Sequence, residues 1–277
     1  AAMNEIPPVT VRTNTLKTGR DTLKTALAEV CEQVAPTPYA PNGLCFYRPG
    51  RPIDQLEAFQ NGWFQVQDEA AQLVTRILSP QPGGKVLDAC AGLGGKTGHI
   101  GELMNNRGDI LAVDKDRRKL AKLESEMKRL GISICQTSNM DLDAPGELPL
   151  PGDFDRILLD APCSGIGVIR RNPDIKWAAS KKNLSRFAIR QSAYLDKLAG
   201  HLAPSGILLY VVCSIEPEET VDVIEKFLKN HPDFAMVTDT AGLSGSAGDF
   251  LDAREFFTSL PHRQHMDGFF AAALKRK

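Results

Sequence analysis

The chain has 277 residues, 42% of them hydrophobic and 24% charged, with a net charge of −1; this is the composition of a globular protein with a sizeable core. No apolar run reaches the ~20 residues of a membrane span, and the start carries no secretory leader pattern, so neither a membrane nor a secreted protein is expected. Six cysteines, at 31, 45, 90, 135, 163 and 213, include no C-x-x-C pair, which argues against a zinc site or disulfide framework and for a reducing, cytoplasmic setting without a metal.

In chain order, residues 1–60 read as a small α+β unit. Val9-Thr10-Val11 is a short strand, and Asp21 to Cys31 carries apolar residues at helical spacing. Pro36 to Gly43 is a loop, and Leu44 to Tyr47 is a returning strand. This unit is either a packing module or an RNA-contacting one. Residues 61–277 form the second, larger unit. A helix from Asp68 to Leu78 precedes a series of strands (85–89, 109–113, 132–136, 154–159, 206–213, 234–237 and 268–274). Between them lie helices at 96–104, 116–130, 180–202 and 216–229. Strands alternating with helices predict a doubly wound, mostly parallel α/β sheet of the Rossmann-like type. The Ala/Gly/Ser stretch from Thr240 to Gly248 reads as a loop.

Two stretches carry the chemistry. After the first strand of the larger unit comes Asp88-Ala89-Cys90-Ala91-Gly92-Leu93-Gly94-Gly95-Lys96-Thr97. It fails as a phosphate-binding Walker loop, because Cys90 stands at the required first glycine. It fails as a dinucleotide fingerprint, because Thr97 stands at the third. A glycine loop with little phosphate-cradling character remains, followed by an acid, Asp114, placed to accept from ribose hydroxyls. That combination suggests S-adenosylmethionine, which carries no phosphate; a plain structural turn is the alternative. The second stretch is Ile157-Leu158-Leu159-Asp160-Ala161-Pro162-Cys163-Ser164-Gly165, a buried strand stopped by proline. A further apolar run, Gly206 to Val212, ends at Cys213-Ser214. Reactive groups in open α/β sheets lie beyond the carboxyl ends of strands, so Asp160, Cys163 and Cys213 are expected to share one crevice.

Charge is unevenly distributed. Between Val168 and Gly200, eight Lys/Arg against two Asp give +6; between Glu216 and Glu255, ten acids against three bases give −7. The basic stretch, with Arg170, Arg171, Lys181 and Lys182, is either a solvated helix face or a surface for RNA phosphates. Trp177 within it is expected in the core rather than stacked on a base. Cys31, Cys45, Cys90 and Cys135 read as small buried hydrophobes.

Taken together, the Asp88–Thr97 loop, Asp160-Ala161-Pro162-Cys163-Ser164-Gly165, Arg170-Arg171-Asn172-Pro173-Asp174-Ile175-Lys176-Trp177 and Val212-Cys213-Ser214 resemble the RNA (cytosine-5)-methyltransferases. The likeness is to the bacterial branch acting on 16S ribosomal RNA, the RsmB (Sun/Fmu) type. It extends to Val11-Arg12-Thr13-Asn14, Val66-Gln67-Asp68-Glu69-Ala70 and Asp267-Gly268-Phe269-Phe270. The resemblance implies S-adenosylmethionine held by Cys90, Ala91, Gly92, Leu93, Gly94, Gly95 and Lys96. Asp114 would take the ribose, Asp141 or alternatively Asn139 would lie near the adenine, and Asp160 near the reacting groups. It implies Cys213 as nucleophile and Cys163 as the residue assisting product release, in a monomer whose partner is RNA. The family has alanine-proline where this chain has Gly92-Leu93, and threonine where it has Val212. The extra N-terminal helical domain often carried by the ribosomal branch does not fall within these residues. The competing reading is a non-catalytic RNA-binding assembly factor on the same fold, and within the family a transfer RNA is the alternative substrate.

Overall fold

In the computed structural model, residues 6–178, 180–237 and 250–277 are described. The stretch expected as a loop at 240–248 lies outside them. The N-terminal unit runs β1 (Val9–Thr13), α1 (Arg20–Ala28), β2 (Glu32–Pro36), β3 (Gly43–Tyr47), α2 (Glu57–Gln60) and β4 (Phe64–Val66). Its strands make an antiparallel sheet in the order β2-β3-β1-β4. Alternate residues of β1 and β3 face α1: Val11, Leu44 and Phe46 are fully buried against Leu23 and Leu27. Because β4 pairs with β1, the small sheet extends to Val66, past the boundary expected at 60.

The larger unit continues α3 (Glu69–Ile77), β5 (Lys85–Asp88), α4 (Gly95–Leu103), β6 (Asp109–Asp114), α5 (Arg117–Leu130), β7 (Cys135–Asn139) and β8 (Phe154–Asp160). It is completed by α6 (Ile175–Ala178), α7 (Lys181–Ala199), β9 (Leu202–Val212), α8 (Val221–Asn230), β10 (Phe234–Met236), β11 (Phe257–Ser259), α9 (Pro261–Gln264) and β12 (Phe269–Arg276). The sheet order is β10-β12-β9-β8-β5-β6-β7, with β11 on β12. Strands β5 to β9 are parallel; β10, β11 and β12 run antiparallel at one side. The central strands are apolar on both faces because both faces are covered. Ile157 and Leu159 of β8 pack into one layer with Leu208, Tyr210 and Val212 of β9. Leu158, Leu209 and Val211 point into the other.

Departures from the expected elements have local causes. The strand expected from Ile132 begins at Cys135, because Gly131 caps α5 in the left-handed region and the Ile132 N–H still bonds to Met127 O at 2.9 Å. The helix expected from Glu216 starts at Val221, after a 3₁₀ turn over Pro217–Glu219. The strand β2 escaped notice because it is an exposed edge strand without alternation, and β4 and β11 have only three residues each.

A buried arginine joins the two units. Arg12 of β1 is fully buried and donates to both oxygens of Glu102 on α4, at 2.9 and 2.8 Å, and to the Gly95 carbonyl at 3.0 Å. The guanidinium also donates to the Gln67 side chain. Nearby, the Asn14 amide donates to Leu130 O at the end of α5. Arg12→Ala leaves the Glu102 carboxylate buried without its cation, and the expected loss of stability is about 3–5 kcal/mol, measurable by urea unfolding. Arg12→Met paired with Glu102→Leu is expected to lose much less, since no uncompensated charge remains.

Candidate active site

Parallel strands that reverse their order of connection leave a crevice beyond their carboxyl ends. Here β5 leads to β6 on one side while β8 lies on the other, and a cleft of about 410 Å³ opens there. Cys90 and Gly92 come from the loop after β5, Asp114 from the end of β6, and Asp160 and Pro162 from the end of β8. Met140, Asp141 and Leu142 close one side, and Arg190 and Tyr194 of α7 the other. The loop is shaped by backbone that side chains resist: Gly94 has φ +84°, and a Cβ there would meet Leu123 at 2.7 Å. The Gly92 N–H donates to Asp114 Oδ2 at 3.0 Å and the Asp116 N–H to Asp114 Oδ1 at 2.8 Å. Each carboxylate oxygen keeps a lone pair free for a further donor.

The cleft carries charge of both signs: Asp114, Asp116, Asp141 and Asp160 line it together with Lys115, Lys119 and Arg190. Beneath it Asp88 is buried, with Oδ2 accepting from the Thr97 hydroxyl at 2.7 Å and Oδ1 without a hydrogen-bond partner. An unpaired buried carboxylate oxygen is costly. Burial pushes the Asp88 carboxyl up to about 7, although the Thr97 hydrogen bond opposes the rise. Across the cleft, partial burial is outweighed by hydrogen bonds from Arg190, Tyr194 and Lys115, which hold Asp143 below the usual carboxylate range.

On the β8–β9 side, the Cys163 and Cys213 sulfurs lie 3.2 Å apart. The hydrogen bond with Cys213 and then burial push the Cys163 thiol well above its ordinary value. Lys96 donates to Asp160 Oδ2 at 2.6 Å, with its ammonium 5.1 Å from the centre of the Phe269 ring. Burial pushes the lysine down, but Asp160 outweighs it and the ammonium stays charged. The Cys163 loop is docked onto the Cys213 backbone: Gly167 N–H donates to Cys213 O at 3.0 Å, and Gly268 N–H to Gly167 O at 2.9 Å. A Cβ at Gly167 would sit 2.0 Å from Gly268 O, so no side chain fits.

Of the residues expected around the cofactor, Cys90, Gly92, Asp114, Asp141 and Asp160 line the cleft. Ala91 packs beneath the loop against α5. Gly94 and Gly95 support it from behind, Gly95 through its carbonyl to Arg12. Lys96 reaches Asp160. Leu93 is 54% exposed and outside the lining, so the departure at that position falls on the surface. Asn139 is used elsewhere, donating to the Asp114 and Lys115 carbonyls, which leaves Asp141 as the acid at that side.

The basic stretch divides. Arg170 and Arg171, expected to meet RNA, turn inward: both pair with Asp267, at 2.6 and 2.7 Å, and with Asp68, at 3.3 and 2.7 Å. Arg170 is only 6% exposed, and its guanidinium is consumed in tying the loop to the N-terminus of α3. Lys181, Lys182 and Arg186 face outward on α7. Trp177, expected in the core, is 88% exposed, because α6 is a single turn standing off the sheet. Asp68, Asp267 and Gly268 stand in stretches that carry the resemblance but had no role expected of them, and Gly167, Glu219, Arg190 and Tyr194 had none either. Arg190 and Tyr194 share an i, i+4 spacing on one helix face, and Gly167 and Glu219 left no such signal.

A doubly wound sheet with a glycine loop and an acid-bearing cleft at its switch point is the architecture of the Rossmann-like methyltransferases. The family model described as 16S rRNA methyltransferase RsmB/F matches residues 75–275, and that of the RsmF/B-like ferredoxin-like domain matches residues 1–53. The chain belongs to the RsmB/F family. It is 38% identical over its whole length to the probable ribosomal RNA small subunit methyltransferase B of Synechocystis sp. and to ribosomal RNA small subunit methyltransferase B of Citrobacter koseri. It spans 62% and 61% of those proteins. A methyltransferase homolog protein from Pyrococcus horikoshii superposes with TM-score 0.81 at 29% identity, over all of this chain and 88% of that one. NSun6 from Pyrococcus horikoshii shares the fold, with TM-score 0.84 at 22% identity over 99% of this chain and 92% of that one.

The raised Asp88 carboxyl sets a pH dependence. An aspartate titrates near 3.9 when unfolded and at about 7 here. Between those values the folded state holds a proton that the unfolded state has released. The associated stability is therefore full below about pH 4 and lost as pH rises to about 7. Asp88→Asn lacks this titration, so its stability relative to the wild type is expected to rise from pH 4 to 7 and then level off, as measured by urea unfolding at each pH. A flat difference across that range rejects the assignment.

Proposed function

We propose that the chain is an S-adenosylmethionine-dependent RNA (cytosine-5)-methyltransferase, acting on a cytosine of 16S ribosomal RNA through a covalent bond from Cys213 to ring carbon 6. The observation that carries this reading is the pair of thiols 3.2 Å apart beside the Lys96–Asp160 pair at the edge of the nucleoside cleft. The family description and the names of the relatives support ribosomal RNA as the substrate.

When bound, S-adenosylmethionine supplies an electrophilic methyl group. Its nucleoside would occupy the cleft, with Asp114 holding the ribose and Asp141 on the adenine side. Carbon 5 of cytosine is too weak a nucleophile to take the methyl unaided. Cys213 thiolate adding to carbon 6 turns carbon 5 into an enamine carbon and splits one hard step into two easier ones. Negative charge develops at ring nitrogen 3 during that addition, and the proton shared between Lys96 and Asp160 can be delivered there. With its thiol pushed up, Cys163 can donate its S–H toward the Cys213 sulfur and stabilise it as the leaving thiolate when the carbon–sulfur bond breaks. After methylation the carbon 5 proton leaves, the ring double bond re-forms, and the carbon–sulfur bond breaks to return Cys213. Cys163 therefore assists release rather than attack.

The two cysteines are expected to fail differently. Cys213→Ala abolishes methyl transfer while S-adenosylmethionine affinity, read by calorimetry, is unchanged, because the sulfur acts on the base. Cys163→Ala still attacks and methylates but releases slowly, so a protein–RNA band that is sensitive to protease accumulates on denaturing gels. The opposite pattern makes Cys163 the nucleophile, and wild-type activity in both variants rejects the covalent route. Calorimetry also separates this reading from a non-catalytic factor, which has no need to bind the cofactor.

RNA phosphates are expected to meet the outward face of α7. Replacing Lys181 and Lys182 with Gln should weaken RNA binding and lower the slope of log affinity against log salt by roughly 0.7 to 0.9 for each phosphate no longer neutralised. An unchanged slope would mean that these lysines are merely solvated.

A further inference from the structure

One buried carboxylate lies outside the reaction just described. Glu219, the last residue of the 3₁₀ turn after β9, is fully buried. Its Oε1 accepts the backbone N–H of Ser164 at 2.8 Å and the Gln191 side-chain amide at 3.3 Å. Its Oε2 accepts the hydroxyls of Ser164 and of Ser214, the latter at 2.6 Å. Its own carbonyl is fixed by the Tyr210 hydroxyl at 2.6 Å. Ser164 follows Cys163 and Ser214 follows Cys213, and the two hydroxyls lie 3.3 Å apart. One carboxylate thus grips the residue next to each reactive cysteine, and every donor it uses is neutral.

We propose that Glu219 is a positioning residue for the transfer reaction, a clamp that registers the Cys163 loop against the Cys213 loop and so fixes the separation of the two sulfurs. This rests on the covalent reading given above. A buried carboxylate with no cation is a costly way to fill space, and an apolar side chain would fill it without that penalty. What only an acceptor-rich group can do is take three donors from the two loops and a fourth from α7 at once. The loops also meet through the Gly167 N–H bond to Cys213 O, the Ser164–Ser214 hydroxyl pair and the sulfur pair itself; the first fixes backbone only, and without the carboxylate the two side-chain pairs are free to drift. Drift matters because displacements near 1 Å at a reacting centre cost about 100-fold in rate. The carboxylate also adds its charge to the influences that keep Cys163 protonated, the state in which Cys163 can donate to Cys213.

The test uses the whole chain with three variants and two readouts. Dibromobimane becomes fluorescent on bridging two thiols that lie close together, and peptide mapping assigns the bridge to Cys163 and Cys213, so sulfur geometry is read without RNA or turnover. In Glu219→Ala, bridging is expected to be lost and kcat to fall about 100-fold, with KM for S-adenosylmethionine unchanged, since Glu219 does not line the cleft. Glu219→Gln can still accept from Ser164 N–H and donate to hydroxyls able to rotate, so it should recover bridging and most of the rate. With the charge gone, its Cys163 should be alkylated at lower pH than in the wild type. A folded Glu219→Ala with wild-type bridging and turnover overturns the clamp. Should that variant not fold, Ser164→Ala combined with Ser214→Ala decides, since it removes the two gripped hydroxyls and leaves the carboxylate: wild-type bridging and turnover in that double variant overturn the clamp equally. Failure of the covalent reading shows elsewhere, as turnover by Cys213→Ala.

Discussion

The site depends on the pairing of two parallel strands, β8 and β9, buried on both faces. Their register runs from Arg156 opposite Ile207 to Asp160 opposite Val211. Nothing in the chemistry of a cysteine brings it beside another fifty residues away. The ladder does so, because both strands end at the same level and each hands its chain to a loop that starts within a few residues. Residues alternate strictly between two apolar layers, so a one-residue slip would invert every side chain and is excluded. The sheet therefore specifies the approach of the sulfurs to within a residue, and the loops have only the last ångströms to settle.

Those ångströms are settled by polar interactions that the sheet makes possible. Gly167 can lie on Gly268 and on the Cys213 carbonyl only because it has no side chain. Arg170 and Arg171 anchor the far end of the same loop to Asp267 and Asp68. Asp68 also caps α3, accepting from Ala70 N–H at 2.9 Å, and it accepts the Asp267 N–H at 3.0 Å. The catalytic loop, the last strand and the first helix of the larger unit are thus tied at one carboxylate. Through Gly95 and Arg12 the cofactor loop is tied in turn to the N-terminal sheet. Lys96 completes the circuit, since one side chain belongs to the cofactor loop by its backbone and to Asp160 by its ammonium.

The larger unit was legible in the sequence where burial is two-sided and continuous. Ile157-Leu158-Leu159 and Leu208 to Val212 announce strands by composition alone, and Cys163 and Cys213 announce themselves by standing where such strands stop. Asp114 was legible for the same reason. The edge strand β2, exposed along nearly its whole length, carries no such mark. Glu219 was illegible for a different reason. Within Glu216-Pro217-Glu218-Glu219 it looks like one of three interchangeable surface acids, and only the 3₁₀ turn, set by Pro217 and ended at Thr220, sends it inward. The inward pairing of Arg170 and Arg171 was illegible because charge counted along a sequence takes no account of direction. Asp267, nearly a hundred residues away, absorbs both.

That correction changes how the RNA-facing surface is built. With Arg170 and Arg171 neutralised inside the protein, the net +6 of the stretch shrinks to a ridge along α7, where Lys181, Lys182 and Arg186 lie outward. A ridge of flexible cations holds phosphates but reads no bases, and its grip weakens with salt. Trp177 stands at the near end of this ridge, 88% exposed, and Ile189, 68% exposed, further along it. A tryptophan left in water by a fold that buries Phe154, Phe227 and Phe257 completely is the kind of surface on which an unpaired base can stack. Attack on carbon 6 requires a cytosine drawn out of its stack. Under the proposed function, the paired arginines and the exposed tryptophan are two consequences of one loop, whose inner half docks beside Cys213 and whose outer half would meet the strand from which the base is drawn.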